Sequence, residues 1–143
     1  MKLVQIGCVH SPYKEKKDAP RQGKLKDTVS QIEIFDEYLS AMQRLSDLTH
    51  IIVLYWGDRA DRSITMSPTP FDSEPIGVFA SRSPNRPNPI AFCVCEIVAI
   101  KNNIIEVKNL DALDSSPVLD IKAYAAAIDA YPEAQRKGRG VHG

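Results

Sequence analysis

The sequence contains few of the residues that mark several large classes of protein. It has three cysteines and one tryptophan among 143 residues, and no apolar run approaches the roughly 18 residues of a membrane-spanning helix. The cysteines are odd in number and lie in apolar segments, which argues against a disulfide framework and for a reducing compartment. The opening MKLVQIGCVHSPYKEKK is too weakly apolar for a secretory signal. We therefore expect a cytoplasmic protein with no membrane segment.

The common signatures of nucleotide-binding and metal-dependent enzymes are also missing. There is no GxGxxG after a strand and no Walker loop. His10, His50 and His142 belong to no recognisable triad. Cys93 and Cys95 lack partners at zinc-ligand spacing and lie on one face of an apolar segment, so we expect them in the core. No metal is expected.

Composition places the chain among ordinary globular proteins. It is 43% hydrophobic and 25% charged, typical values for a folded domain. Its length fits one domain with a single sizeable core. We expect one domain over 1–143, with the core in about 3–124 and a tail in 125–143.

The formal net charge is zero, but the charges are unevenly distributed. Residues 1–26 carry seven basic and two acidic side chains, whereas residues 27–81 carry three basic and nine acidic ones. A basic segment of this kind is compatible with a polyanionic partner, and equally with a solvated loop.

The apolar pattern predicts a mainly β protein. Short strands are predicted at Leu3–Val9, Val29–Phe35, His50–Gly57, Ile76–Ala80, Pro89–Lys101, Ile104–Leu110 and Val118–Tyr124. One helix, capped by Asp36, is predicted from the helical spacing of Tyr38, Met42 and Leu45. Residues 13–27 and 58–75 are predicted as long loops. Because strands and helices do not alternate, we expect a small antiparallel β-barrel or sandwich with one short helix.

One loop, SRSPNRPNPIAF at Ser81–Phe92, combines three prolines with two arginines between predicted strands. Proline fixes its own φ and restrains the residue before it, so the loop should be stiff. Arg82 and Arg86 would then present two planar guanidinium groups to a carboxylate or phosphate. A ligand-binding loop and a rigid corner are both compatible with this pattern.

Two further loops have a similar character. SPYK at Ser11–Lys14 is followed by APRQ at Ala19–Gln22, and NLDALDSSP at Asn109–Pro117 places two carboxylates in a turn after a strand. Asp- and Ser-rich turns are usually only turns. Three such loops in a small β domain nevertheless raise the prospect that they converge on one site.

Taken together, these loops resemble those of the TrmO family, also called TsaA-like or YaeB-like. The matching segments are IGCVHSPYKEKKDAPRQG, IGVFASRSPNRPNPIAF and LDALDSSPVLDIKAY, in the family's order from Ile6 to Tyr124. The combination of RSPxRPNPI with PVLDIK is specific to this family.

The resemblance implies a small β-barrel methyltransferase that uses S-adenosyl-L-methionine and forms a homodimer. Its implied partner is tRNA, and its implied acceptor is the exocyclic N6 amine of threonylcarbamoyladenosine at nucleotide 37. The family's cofactor-binding positions correspond to Pro20, Arg21, Gln22, Asp58, Arg59, Arg82, Phe92, Asp111, Ala112, Leu113 and Asp114.

The sequence departs from the family pattern at several positions. Asp58-Arg59 stands where the family commonly has His-Gln, and Ala91, Ser115 and Ala123 replace a glycine, a glycine and a proline. The C-terminal domain of longer bacterial members is expected to be absent. These departures leave open another methyl acceptor or a non-catalytic cofactor-binding module.

The candidate catalytic residues are Asp111, Asp114 and Arg82. A carboxylate could favour the cationic sulfonium of the cofactor or accept the amine proton after attack. Arg82 could hold the cofactor's carboxylate or, with Arg86, the phosphates of tRNA. The sequence leaves these roles open.

Overall fold

The computed structural model describes residues 1–18, 27–69 and 72–137. The chain divides into two compact units. The first comprises Met1–Asp58 and Ile90–Tyr124, and the second comprises Arg59–Pro89 and Ala125–Gly143. The prediction of a single domain over 1–143 stays a prediction.

The first unit is a closed antiparallel barrel. Its strands are β1 (Gly7–His10), β2 (Val29–Ile34), β3 (His50–Trp56), β6 (Ile90–Lys101), β7 (Ile104–Lys108) and β8 (Pro117–Ala123). Around the barrel they run in the order β1, β2, β7, β6, β3, β8, and β8 pairs back onto β1. The predicted mainly β barrel is therefore confirmed.

Alternating side chains of these strands fill the barrel interior. On β3, Ile51 and Val53 are fully buried, and they lie opposite the buried Cys95 and Cys93 of β6. Similar apolar residues of β1, β2, β7 and β8 complete the core. The prediction that both cysteines lie in the core is confirmed. Along a strand, every second side chain points to the same face, so residues two positions from a buried one also face the barrel interior.

The β6–β7 hairpin turns through two residues, as the sequence predicts. Lys101 pairs with Ile104, which leaves Asn102 and Asn103 as the turn. Asn102 has φ of 55°, a left-handed conformation that asparagine tolerates better than most residues.

The predicted helix after β2 is wrong in type. Residues Asp36–Met42 and Leu45–Asp47 form two 3₁₀ helices, separated near Arg44, whose φ is 68°. Asp36 is the first residue of the first helix and does not cap it. The capping position is Phe35, which makes no side-chain hydrogen bond to the helix. Met42, Leu45 and Leu48 pack on the core from this segment.

The second unit contains a hairpin that the sequence pattern missed. Strands β4 (Met66–Thr69) and β5 (Asp72–Gly77) pair within the segment predicted as a loop. The predicted strand at 76–80 is also wrong in part, because Val78–Ala80 forms a 3₁₀ turn. The short helix α1 (Ala126–Asp129) lies in the tail.

Candidate functional site

The Asp-rich loop after β7 is shaped by alternate burial and by two left-handed residues. Leu110 and Ala112 are buried at 2% and 1% exposure and anchor the loop, so Asp111 between them is only partly buried. Asn109 and Ser115 both have φ of 71°. Ser115 is one of the positions where the family commonly has glycine, the residue that adopts this conformation without a steric cost.

The carboxylate of Asp111 is fixed through one of its two oxygens. The hydroxyl of Tyr55 donates a hydrogen bond to Oδ1 at 2.7 Å, and the thiol of Cys93 donates to the same atom at 2.9 Å. Burial, followed by the negative charge of Asp111, raises the pKa of Tyr55 above its ordinary range, so the phenol remains a donor. Oδ2 has no hydrogen-bond partner among the described residues.

Asp114, in contrast, is held through both oxygens. The backbone N–H of Ser11 donates to Oδ1 at 3.0 Å, and the ammonium of Lys14 donates to Oδ2 at 2.8 Å. These two bonds, that from Lys14 first, lower the pKa of the Asp114 carboxyl below its usual value. The backbone N–H of Asp114 also donates to the carbonyl of Tyr13 at 2.7 Å. Asp114 therefore serves to join two loops.

A polar cleft lies where these two loops meet. Its volume is about 470 Å³, and its walls are His10, Ser11, Pro12, Lys14, Val29, Gln31, Glu106 and Asp114. His10 pairs with Glu33 across β1 and β2 at 2.8 Å. Among the walls of the cleft, Lys14 is basic and Glu106 and Asp114 are acidic, so the cleft carries charges of both signs. Two of the three loops that the sequence singled out converge here, at 11–14 and 109–117.

The remaining predicted positions of the first unit lie elsewhere on the barrel. Asp58 is exposed just after β3, where its N–H donates to the carbonyl of Trp56 at 3.1 Å. Phe92 is 41% exposed on the outer face of β6, opposite in direction to the buried Cys93 beside it. Phe92 therefore lies on the opposite face of β6 from Cys93, whose thiol contacts Asp111.

The proline-rich loop belongs to the second unit as far as Pro89, together with Arg59 and Arg82. Arg86 turns back into this loop, where its guanidinium donates to the carbonyls of Val78 and Ser81, the latter at 2.7 Å. One nitrogen of Arg86, Nη2, thus serves the loop itself, and a contact between Arg86 and a ligand stays a prediction.

A second arginine also fixes the proline-rich loop. Arg62 donates to the carbonyl of Pro87 at 2.7 Å and to the side chain of Asn88 at 3.1 Å. Arg82 itself is exposed. The loop is thus a rigid frame, as the prolines predict, and Arg82 is the arginine on its surface.

Pro20, Arg21 and Gln22, also predicted for the site, lie outside the described residues. In the ranges that the structure describes, no group of three His, Cys, Asp or Glu side chains could hold a metal ion. Those same ranges contain no helix with the length and apolar character needed to cross a membrane.

The sequence pattern singles out the loop with Ser11 and Lys14, which hold Asp114, but it does not identify the residues that hold Asp111. It predicts Tyr55 only as part of a buried strand and Cys93 only as core. The signal that could have found Tyr55 is the alternation of side chains along β3. Residues 51 and 53 face the barrel interior, so residue 55, near the end of β3, faces it as well. A polar atom at the inward end of a barrel strand is positioned to meet a loop that covers that end.

Comparisons with family models and with known proteins point to the same family. Residues 8–130 match the model of the tRNA-methyltransferase O N-terminal domain. An "S-adenosyl-L-methionine-binding protein" of Archaeoglobus fulgidus is 52% identical over 129 residues, which is 90% of this chain and 93% of that protein. The "tRNA (adenine(37)-N6)-methyltransferase" of Escherichia coli is 33% identical over 141 residues, covering 91% of this chain and 60% of that enzyme.

A solved structure agrees with the barrel. The crystal structure of TrmO from P. aeruginosa superimposes with a TM-score of 0.79 at 30% identity, over 96% of this chain. The match covers 60% of the P. aeruginosa chain. The present chain thus spans nearly the whole A. fulgidus protein but only about three fifths of the E. coli and P. aeruginosa ones.

Proposed function

Because the chain belongs to the tRNA-methyltransferase O N-terminal domain family, we propose that it is an S-adenosyl-L-methionine-dependent tRNA methyltransferase. The proposed acceptor is the N6 amine of threonylcarbamoyladenosine at nucleotide 37. The nucleotide and the amine follow from the name of the E. coli relative. The threonylcarbamoyl group follows from the family resemblance of the three loops.

The assignment of the cofactor rests on the partly buried and unneutralised carboxylate of Asp111. Its carboxylate is partly buried and makes no ion pair with any described residue. Removing a carboxylate from water without a compensating cation is unfavourable, and a bound cation restores the balance. S-adenosyl-L-methionine carries a sulfonium and an ammonium, so the residues present fit this ligand.

When bound, the cofactor supplies an electrophilic methyl group. The chain's part is to hold the two reactants in line, which accounts for much of the rate of a displacement. Asp111 favours positive charge near its free oxygen. Asp114, held by Ser11 and Lys14, fixes the loop that carries Asp111. Arg82 is exposed on a stiff loop, and a guanidinium is suited to the cofactor's carboxylate.

The proposed cofactor-binding residues come from all three loops, from β6 and from the residues that follow β3. They are Pro20, Arg21, Gln22, Asp58, Arg59, Arg82, Phe92, Asp111, Ala112, Leu113 and Asp114. The working form is proposed to be a homodimer in the cytoplasm, where tRNA is found. Light scattering should then give about twice the chain mass of 15.9 kDa.

A second candidate keeps the cofactor but not the tRNA substrate. It is favoured by Asp58-Arg59, which replaces the His-Gln of the family and is exposed after β3. The name of the A. fulgidus relative, which mentions binding only, is compatible with it. In this case the protein methylates another acceptor or acts as a cofactor-binding regulatory module.

The experiment that separates the two candidates uses the purified protein, S-adenosyl-L-methionine and tRNA from a strain that lacks this enzyme. Nucleosides are analysed by mass spectrometry. We expect a methylated threonylcarbamoyladenosine, and none with tRNA that lacks the threonylcarbamoyl group. Cofactor binding by calorimetry without a methylated nucleoside would support the second candidate. No binding of the cofactor at millimolar concentration would contradict both.

A further inference from the structure

We propose that Tyr55 is a positioning residue that aims the free oxygen of Asp111 at the cofactor's sulfonium and so favours S-adenosylmethionine over S-adenosylhomocysteine. The inference deepens the proposed function and rests on it. It assigns a role in specificity to a strand residue outside the three loops that the sequence singled out.

The position of Tyr55 follows from strand geometry. Ile51 and Val53 of β3 face the barrel interior, so Tyr55 has the inward parity and stands where the strand is about to end. The pairing of β3 with β8 shifts at this point, because Leu54 pairs with Asp120 and Tyr55 with Val118. Such an irregularity at the rim of a barrel redirects side chains. Here it accompanies a tyrosine directed at the loop that covers this end.

Both donors to Asp111 come from neighbouring strands and act on the same oxygen. Tyr55 of β3 reaches Oδ1 at 2.7 Å, and Cys93 of β6 reaches it at 2.9 Å. Cys93 lies opposite Val53, one inward position from Tyr55. Two donors on one oxygen fix the rotation of the carboxylate about its own axis. Oδ2 is thereby held in one direction, away from the strands that carry these donors.

The donors are neutral, and this determines what Oδ2 can recognise. Neither the phenol nor the thiol cancels the negative charge of Asp111, and the described residues supply no cation. Asp114, three residues later, is instead paired with Lys14 at 2.8 Å. Of the two carboxylates in this loop, Asp111 is therefore the one whose charge remains for a ligand.

The two forms of the cofactor differ at one atom. S-adenosylmethionine has a sulfonium, whereas S-adenosylhomocysteine, which remains after the methyl group has left, has a neutral thioether. A carboxylate held near this atom stabilises the first form and contributes little to the second. The same contact therefore loosens when the reaction is complete, which favours exchange of product for a new cofactor.

The test is calorimetric titration of both forms into the wild-type chain, Tyr55→Phe, Asp111→Asn and the double variant. Asp111→Asn should weaken S-adenosylmethionine binding about tenfold to a hundredfold, because the attraction between the carboxylate and the sulfonium is lost, and S-adenosylhomocysteine binding far less. Tyr55→Phe keeps the ring and should produce a smaller loss, about threefold to tenfold, again confined to S-adenosylmethionine. Tyr131→Phe, which removes a hydroxyl from a side chain that is 67% exposed, is the control.

A double-mutant cycle separates positioning from general damage. If Tyr55 acts through Asp111, the double variant should bind S-adenosylmethionine no more weakly than Asp111→Asn alone. Equal losses for both cofactor forms in Tyr55→Phe, or additive losses in the double variant, would overturn the inference. So would an Asp111→Asn variant that loses turnover while its preference between the two forms stays as in the wild type.

Two further outcomes are distinguished by design. If Tyr55→Phe does not fold, Cys93→Ala removes the other donor to Oδ1 and should reduce the same preference. If the wild-type chain binds neither cofactor form, the proposed function itself fails. If it binds both and Tyr55→Phe and Cys93→Ala leave the preference unchanged, only the inference fails.

Discussion

Two carboxylates in one loop have different roles because their neighbours differ. Asp114 receives an ammonium and a backbone N–H, whereas Asp111 receives a phenol and a thiol. The sequence places both in the same turn and cannot separate them. Lys14 and Tyr55, which decide the difference, lie about a hundred and about sixty residues away along the chain, where no local pattern connects them to the loop.

The first prediction concerns the pH dependence that Asp114 brings to stability. Its pKa is lowered in the folded chain, so its contribution is present above the unfolded pKa and is lost as pH falls through the folded one. At pH 7, Asp114→Asn should reduce the free energy of unfolding by about 1–3 kcal/mol, as for hydrogen bonds to a charged group. In urea unfolding, the difference between the two proteins should shrink as the pH falls below about 3.9, the ordinary pKa of an aspartate.

Asp47→Asn is the matched control for this experiment. Asp47 also accepts a charged hydrogen bond, from Arg44 at 2.8 Å, but its side chain is 53% exposed. An exposed pair of this kind contributes only about 0.2–1 kcal/mol. A constant difference between wild type and Asp114→Asn from neutral to acid pH would contradict the assignment.

At the scale of elements, periodicity predicted the barrel strands well and the connections poorly. The sequence marks β2 by alternation, with Ser30, Ile32 and Ile34 buried, and β3 by a continuous apolar run, with Ile51, Ile52 and Val53 buried. The hairpin of β4 and β5 was missed because Pro68 and Pro75 suggested a loop. Both strands of a two-stranded sheet are edges, where proline's missing N–H is tolerated. The 3₁₀ helices were misread because three- and four-residue spacings overlap over so short a segment.

The second prediction uses the one strand in the barrel that begins with glycine. A Cβ on Gly7 would collide with the backbone carbonyl of Glu33 and lie 3.2 Å from its carbon. Backbone on the paired strand cannot move aside, so Gly7→Ala should lower the free energy of unfolding by about 1–3 kcal/mol, as overpacking does. Gly77→Ala is the control, because its nearest atom is 4.0 Å away. Similar unfolding midpoints for both variants would show that β1 can shift to accommodate a Cβ at residue 7, and would contradict the prediction.

The third prediction separates the two arginines of the proline-rich loop. Arg86→Ala removes the donors to the carbonyls of Val78 and Ser81 and should lower stability by about 1–3 kcal/mol. Arg82→Ala, at an exposed position, should change stability by no more than about 0.5 kcal/mol while weakening cofactor binding. Thermal unfolding and calorimetry on both variants provide the comparison. If Arg86→Ala weakens cofactor binding and leaves stability unchanged, Arg86 binds the ligand and does not stabilise the loop.

For the whole molecule, the balanced net charge conceals a basic N-terminal segment. Residues 1–26 carry an excess of positive charge, and part of this segment lies outside the described residues. Lys17 is 80% exposed and pairs with Glu15 at 3.3 Å, a contact weak enough to be exchanged for a phosphate. Two copies in a homodimer would double the basic surface available to tRNA.

The fourth prediction is that this segment binds tRNA phosphates. Lys16→Glu/Lys17→Glu should weaken tRNA binding and reduce the slope of log affinity against log salt by about 0.7–0.9 for each phosphate that the variant no longer neutralises. Cofactor affinity should be unchanged. Arg44→Glu/Lys101→Glu reverses two exposed charges elsewhere and is the control. Identical salt titrations for wild type and the N-terminal variant would show that these lysines are only a solvated loop.

The closure of the barrel has a consequence for its synthesis. β1 and β8 are joined by only two residue pairs, Gly7 with Val118 and Cys8 with Pro117, against seven between β3 and β6. A ribosome releases the first strand long before the last, so β1 must wait while almost all of the chain is translated. Until then its outer edge lies open to other nascent chains. A ribosome that stalls before Pro117 therefore leaves β1 without one of its two partner strands.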